Sequence, residues 1–83
     1  MLNLLVTLGN SLELTFSQWF LLRRRDLKLT QEQIATALGV TKQTVSNWEN
    51  NRSEPTLTIE QVKTFCRLFQ CTLDEIPAVN TEG

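Results

Sequence analysis

Apolar residues between positions 30 and 49 recur at helical spacing in two short groups. The first group is Ile34, Ala35 and Leu38, and the second is Val45 and Trp48. Each group falls on one face of a helix, so the pattern predicts two short helices. Gly39 lies between them, where a left-handed backbone can end the first helix without a steric penalty. The stretch therefore predicts two helices joined by a tight turn.

Threonine and glutamine residues mark where these helices begin. Thr30 can cap the first helix through its hydroxyl group, and Gln33 can bond back to complete a capping box. Thr41 can cap the second helix in the same way. After a loop, Thr58 and Gln61 repeat the capping box before a third stretch of apolar residues at helical spacing. This third stretch contains Val62, Phe65, Cys66 and Phe69.

The second helix has a polar face opposite its apolar one. The side chains on this face are Lys42, Gln43, Ser46 and Asn47. Their donors and acceptors match those on the edges of DNA bases, and the DNA major groove is wide enough to admit one helix. The second helix is therefore predicted to read DNA bases.

At these positions the chain resembles the phage Cro and repressor family of helix-turn-helix DNA-binding proteins, also called the XRE family. The resemblance runs from about Arg24 to Ile76. It rests on Thr30-Gln31, Ile34-Ala35, Gly39-Val40 and Val45-x-x-Trp48-Glu49. It implies an all-α fold, a compact bundle of about five helices that contains the helix-turn-helix and ends in a short helix near Leu73. The function it implies is sequence-specific regulation of transcription by a dimer that occupies a pseudo-palindromic operator.

The resemblance also assigns roles to individual residues. The residues that would read bases are Lys42, Gln43, Ser46 and Asn47. The residues that would bind phosphates are Gln31, Thr41, Asn50 and Arg52. Glutamine and asparagine suit adenine and lysine suits guanine, whereas phosphate contacts position the protein without reading sequence. Arg24 and Glu49 are expected to form a partly buried ion pair between helices, with a structural role.

Charge is the feature that fits DNA binding least well, because the net charge of the chain is −1. The distribution is polarised: residues 23–52 carry six basic and three acidic side chains, and residues 53–83 carry two basic and five acidic ones. A basic face can attract phosphates within a Debye length, about 8 Å at physiological salt. Arg23 and Arg25 belong either to that face or to a solvated helix surface. Arg23 also stands where the family commonly has an apolar residue, and Gln70 where it often has glycine.

Other kinds of site have little support. The chain has no histidine, so Cys66 and Cys71 alone do not supply the ligands of a zinc site. We expect two buried apolar thiols without a disulfide, and neither a metal nor a cofactor. Without a histidine base, a glycine-rich phosphate loop or a pair of carboxylates, an enzyme is not expected. Trp19 lies either on the inner stripe of the first helix or on a surface that faces a partner.

Residues 1–15 form an N-terminal extension whose pattern resembles a β-hairpin. Apolar residues at 4–8 and alternating residues at 11–16 flank Gly9-Asn10, a dipeptide that fits a two-residue turn. An isolated hairpin is barely stable in water, so this one would pack on the bundle or pair with another chain. A frayed extension and a helix that covers the bundle are equal alternatives. We expect the chain to form a homodimer, and we expect residues 2–16 to contribute to its interface.

The length of 83 residues suits one small domain, here residues 16–77, followed by a loose tail at 78–83. The sequence has no apolar run long enough to cross a bilayer and no recognisable secretory signal, so a cytoplasmic protein without a membrane partner is expected. The expected partners are double-stranded DNA and a second copy of the chain. The main alternative is a protein-interaction module, such as an antitoxin that binds a protein partner and also its own promoter. A nucleic-acid enzyme ranks far lower.

Overall fold

Four α-helices and a short 3-10 helix follow one another along residues 14–77, the part of the chain that the computed structural model describes. They are α1 (Phe16–Asp26), α2 (Gln31–Leu38), α3 (Lys42–Glu49), α4 (Ile59–Leu68) and the 3-10 helix (Leu73–Glu75). No strand occurs within these residues, so the expected all-α bundle is confirmed. The expected hairpin falls almost wholly outside them. None of these helices is long and apolar enough to span a membrane.

Each α-helix begins after a threonine whose hydroxyl oxygen accepts a backbone N–H three residues later. These threonines are Thr15, Thr30, Thr41 and Thr58. In α1, α2 and α4 a glutamine bonds back to the threonine's own N–H and completes a capping box. The boxes predicted at Thr30 and Thr58 are confirmed, and Thr15 forms a further one with Gln18. Helix α3 lacks this return bond, because Thr44 stands where the other helices have glutamine.

Each of the four α-helices is followed by a residue with a left-handed backbone. The φ angle is 59° at Lys28, 71° at Gly39, 57° at Asn51 and 51° at Gln70. At each end, two amides bond back to carbonyls of the last turn, which is the Schellman pattern. The turn predicted at Gly39 is confirmed. The other three ends use residues with side chains, for which this conformation costs about 1 kcal/mol.

Aromatic rings join α1, α3 and α4 in the core. The ring centroids of Phe65 and Phe69 lie 4.4 Å apart, and Phe20 stacks on Phe69 at 5.0 Å. Trp48 of α3 meets Phe20 edge-on, with ring planes at 88°. Trp19 stacks on Phe65 and Phe69, so it lies on the inner stripe of α1. The Trp48 ring thus joins α3 to the aromatic cluster of α1 and α4.

Helix α2 supports α3 from the other side. Its buried side chains are Ile34, Ala35 and Leu38, as predicted. It packs against both α3 and α4. The side chain of Gln61, at the start of α4, donates a hydrogen bond of 2.9 Å to the carbonyl oxygen of Leu38. The end of α2 is therefore fixed to the start of α4, which gives α3 a stable support.

The two cysteines are free but only half-buried, so the expectation of two buried thiols is wrong. Cys66 follows the fully buried Phe65 and lies at the edge of the core, and Cys71 lies beyond the end of α4. Partial burial raises the pKa of the Cys71 thiol to about 11, with the neighbouring Cys66 thiol as the next cause. Cys71 is therefore protonated at neutral pH.

Candidate nucleic-acid interface

Helix α3 is divided cleanly into an inner and an outer face. Val45 is fully buried and Trp48 is 3% exposed, as the apolar pattern predicts. The predicted base-reading residues lie on the other side of the helix. Two of them, Lys42 and Gln43, are exposed, and the other two are half-buried. The half-buried pair is Ser46 and Asn47. The structure thus brings all four predicted readers onto one helix whose back is fixed in the core.

Two of the four predicted readers contact each other. The side-chain amide of Gln43 donates a hydrogen bond of 3.0 Å to the Oδ1 atom of Asn47, one helical turn later. The bond leaves Oε1 of Gln43 and the amide nitrogen of Asn47 outside the pair. A bidentate contact to adenine needs a donor and an acceptor from the same amide. The second N–H group of the Gln43 amide is not used in this bond, so Gln43 can remain on Asn47 and still offer a donor and an acceptor to adenine.

An ion pair to α1 holds the C-terminal end of α3. The Nε and Nη2 atoms of Arg24 donate to the two carboxylate oxygens of Glu49, and the Nη2 contact measures 3.2 Å. The Glu49 side chain is only 5% exposed and that of Arg24 15%. Arg24 also donates through Nη1 to the carbonyl oxygen of Leu29, at 2.9 Å. This bidentate geometry fixes the direction of α3 relative to α1 and to the start of α2.

Gln31, a predicted phosphate-binding residue, takes part in the same network. Its side-chain amide donates to Oε1 of Glu49 at 2.8 Å. Gln31 is the first residue of α2, and the free backbone N–H groups at the start of a helix can bind an anion. The amide has a second N–H group that this bond does not use. Gln31 can thus remain on Glu49 and still donate to a phosphate.

Ser17 contributes a contact that the sequence pattern does not reveal. Its hydroxyl group is buried and donates a hydrogen bond of 2.7 Å to the carbonyl oxygen of Trp48, 31 positions later. This carbonyl belongs to the last turn of α3, and its oxygen also accepts the Asn51 N–H at 3.4 Å. Ser17 and Arg24 thus fix the same end of α3 from one face of α1.

The remaining predicted phosphate-binding residues lie around α3. At its start, the Thr41 hydroxyl caps the helix and shares a hydrogen bond of 2.9 Å with the Thr44 hydroxyl. At its end, the Asn50 side-chain amide donates a hydrogen bond of 2.9 Å to the Ser46 carbonyl oxygen, so Asn50 caps the C-terminal end of α3. Arg52 is exposed. Of the three, Arg52 is the least constrained by contacts with the described residues, and Asn50 would have to leave its cap to reach a phosphate.

The basic side chains divide into those with internal roles and those without. Arg23 donates to the carbonyl oxygens of Phe69 and Gln70, at 3.1 and 3.0 Å. Arg23 therefore binds the chain just beyond the end of α4, so the alternative of a purely solvated helix surface is wrong for it. Four other cations of residues 23–52 are exposed and form no salt bridge within residues 14–77. They are Arg25, Lys28, Lys42 and Arg52.

Comparison with known proteins places the helix-turn-helix in a family. The helix-turn-helix family model matches residues 21–76, which include the whole of α2, α3 and α4. Over 53 residues the chain is 36% identical to an HTH-type transcriptional activator, BcrR, of Enterococcus faecalis. The match covers 64% of this chain and 25% of that relative, so the chain corresponds to about a quarter of its length. No solved structure gives a significant match.

Proposed function

Because the chain belongs to the XRE-type helix-turn-helix family, we propose that it regulates transcription by binding a specific operator sequence through α3. The observation that carries this proposal is the outer face of α3, whose polar side chains lie opposite the buried Val45 and Trp48. A helix fixed by its back and by one end can enter the major groove without losing its contacts with the bundle. The relative that activates transcription supports the same class of function.

Base reading and phosphate binding fall to different parts of the surface. The proposed base readers are Lys42, Gln43, Ser46 and Asn47, all on α3. The proposed phosphate contacts are Gln31, Thr41, Asn50 and Arg52, around the ends of α2 and α3. Only Arg52 among the second group carries a charge. Neutral donors and helix N-termini would therefore fix the position on DNA, and the exposed cations would add a modest, sequence-independent attraction.

We propose that the protein binds DNA as a homodimer. Two recognition helices about 34 Å apart meet successive major grooves on one side of the duplex, which doubles the number of base pairs that are read. A two-fold dimer requires inverted half-sites in the operator. Sedimentation of the free protein and the symmetry of the selected sequences both test this part of the proposal.

Selection of bound sequences from a random duplex pool tests the function itself. We expect an enriched sequence with inverted repeats. A salt series on random duplex then measures counterion release, and two to four phosphate-neutralising cations per protomer would give a log–log slope of about −4 to −7 for the dimer. The variant Arg52→Gln should make the slope shallower by about one per protomer, whereas Arg67→Gln on α4 should not change it.

Failure of both measurements would contradict the proposal. No enriched sequence, together with an affinity for duplex that does not depend on salt, would indicate a module that docks a protein partner instead. An enriched sequence without two-fold symmetry would leave DNA recognition intact and contradict the dimer.

A further inference from the structure

An open apolar groove lies on the bundle, outside the proposed DNA interface. It encloses about 270 Å³ and is lined within the described part of the chain by apolar side chains, among them Phe16, Leu57, Val62, Phe65, Leu73 and Ile76. Leu73 is 64% exposed. The lining comes from the start of α1, the loop before α4, α4 itself and the 3-10 helix, and it includes no residue of α3. Exposed apolar surface of this kind marks a place where something packs.

We propose that the N-terminal extension of the same chain covers this groove. Residues 1–13 lie outside the described structure and join it at Leu14, two positions before Phe16, which forms part of the groove. Thirteen residues in an extended conformation span about 40 Å, so reach is not limiting. The covering segment is therefore attached at the edge of the surface that it covers.

The sequence of the extension has the pattern that one apolar surface requires. Before the predicted turn at Gly9-Asn10, the apolar residues at even positions are Leu2, Leu4, Val6 and Leu8. The positions between them are mostly polar, with Leu5 as the exception. In an extended strand, even positions share one face and odd positions share the other. Such a segment has one side to bury and one side for water, which fits a groove on the bundle surface.

Two other occupants fit less well. The C-terminal residues 78–83 also begin beside the groove, but Ala78 and Val79 are their only apolar side chains. A second copy of the chain would lose translational and rotational freedom on binding. A tethered segment avoids that loss, since its effective concentration is in the millimolar range. Of the alternatives that the sequence leaves open, packing of the extension on its own bundle is therefore favoured over pairing with another chain.

Amide hydrogen exchange on the full chain tests the proposal. We expect residues 2–12 to exchange at least tenfold more slowly than in a synthetic peptide of the same sequence. Leu73→Asp should abolish this protection, because it places a charge in the groove. Leu22→Asp is the matched control: Leu22 is also exposed, at 54%, but it lies on α1 and does not line the groove. A second pair, Val6→Asp and Thr7→Asp, tests the extension, and only Val6→Asp should release it.

Two results of this exchange experiment would overturn the proposal. Exchange of residues 2–12 at the peptide rate in the unmodified protein would show that the extension does not cover the groove. Equal effects of Leu73→Asp and Leu22→Asp would place the extension elsewhere. In a mixture of isotope-labelled and unlabelled chains, methyl contacts between the extension and Val62 should occur within one chain. Contacts seen between chains alone would show exchange of the segment in a dimer. Unchanged operator binding by Leu73→Asp would verify that the helix-turn-helix remains folded.

Discussion

Helices α2 and α3 have the same length and both follow a capping threonine, but they are held in different ways. Both contain eight residues after a capping threonine. Helix α2 has a reciprocal capping box through Gln33 and three buried residues, and its end is fixed by Gln61. Helix α3 has no such box and two buried residues. Its C-terminal end is held by Ser17 and Arg24 of α1.

The difference shows how a small bundle keeps a recognition surface free. The supporting helix α2 is capped at its start by Thr30 and Gln33, and its end is held by Gln61 of α4. The reading helix takes its anchors from a neighbouring helix, and the polar side chains of its first turn remain exposed. We therefore expect substitutions at the anchors to change stability, and substitutions on the outer face of α3 to change DNA specificity. The predictions below separate these two effects.

The largest effect is expected at the ion pair that anchors α3. Glu49→Ala leaves Arg24 without its partner in a partly buried site and should lower the free energy of unfolding by about 3 kcal/mol. Glu54→Ala and Glu60→Ala serve as controls, because both residues are exposed and the Glu60–Lys63 contact is a 4.0 Å surface pair. Chemical denaturation measures all three. Equal midpoints would show that the pair does not anchor α3.

The second anchor should contribute less. Ser17→Ala removes the 2.7 Å hydrogen bond to the Trp48 carbonyl oxygen and leaves this acceptor only the longer contact from the Asn51 N–H, at a cost of about 1 kcal/mol. Ser53→Ala, in the exposed loop after α3, is the matched control and should have little effect. A loss of stability no greater than that of Ser53→Ala would mean that water replaces the hydroxyl group.

Substitutions at two helix ends should change the stability of the protein in opposite directions. Gly39→Ala should destabilise the protein by about 1 kcal/mol, because alanine is strained at φ 71° although the space around it is open. Gln70→Gly should stabilise it by up to about 1 kcal/mol, since Gln70 already has φ 51°. Thermal unfolding of both variants checks the pair. A stabilising Gly39→Ala would contradict a purely backbone role.

The smallest changes in stability are expected at two glutamine residues, one in α2 and one in α3. Gln33→Ala breaks the capping box of α2 and should cost about 0.5 kcal/mol. Gln43→Ala removes only an exposed bond to Asn47, so its unfolding midpoint should stay within error of the unmodified protein. A clear loss of stability in Gln43→Ala would mean that the outer face of α3 also has a structural role.

Local features of this fold could be predicted from the sequence, and distant contacts could not. The caps at Thr30, Thr41 and Thr58 and the turn at Gly39 depend on residues within four positions, so the pattern contains them. The contact of Ser17 joins residues 31 positions apart, and serine alone gives no signal for such a partner. The contact of Arg23 spans 46 positions and has no sequence signal either.

The candidate site likewise has features that the sequence predicts and features that it does not. Helical periodicity identified the outer face of α3 and its buried back. The hydrogen bond between Gln43 and Asn47, and the one from Asn50 into the last turn of α3, depend on rotamers that spacing does not determine. The left-handed residues Lys28 and Gln70 escaped prediction because side chains other than glycine, asparagine and aspartate rarely adopt that conformation.

The affinity ratio of Gln43→Ala between the selected operator and random duplex tests the central claim most directly. If the outer face of α3 reads bases, this variant should lose about 1 to 3 kcal/mol on the operator and relax the preference at one base position. It should lose almost nothing on random duplex. Arg52→Ala should instead weaken binding to both DNAs alike. Equal losses on operator and random duplex for Gln43→Ala would contradict base reading by this face of α3.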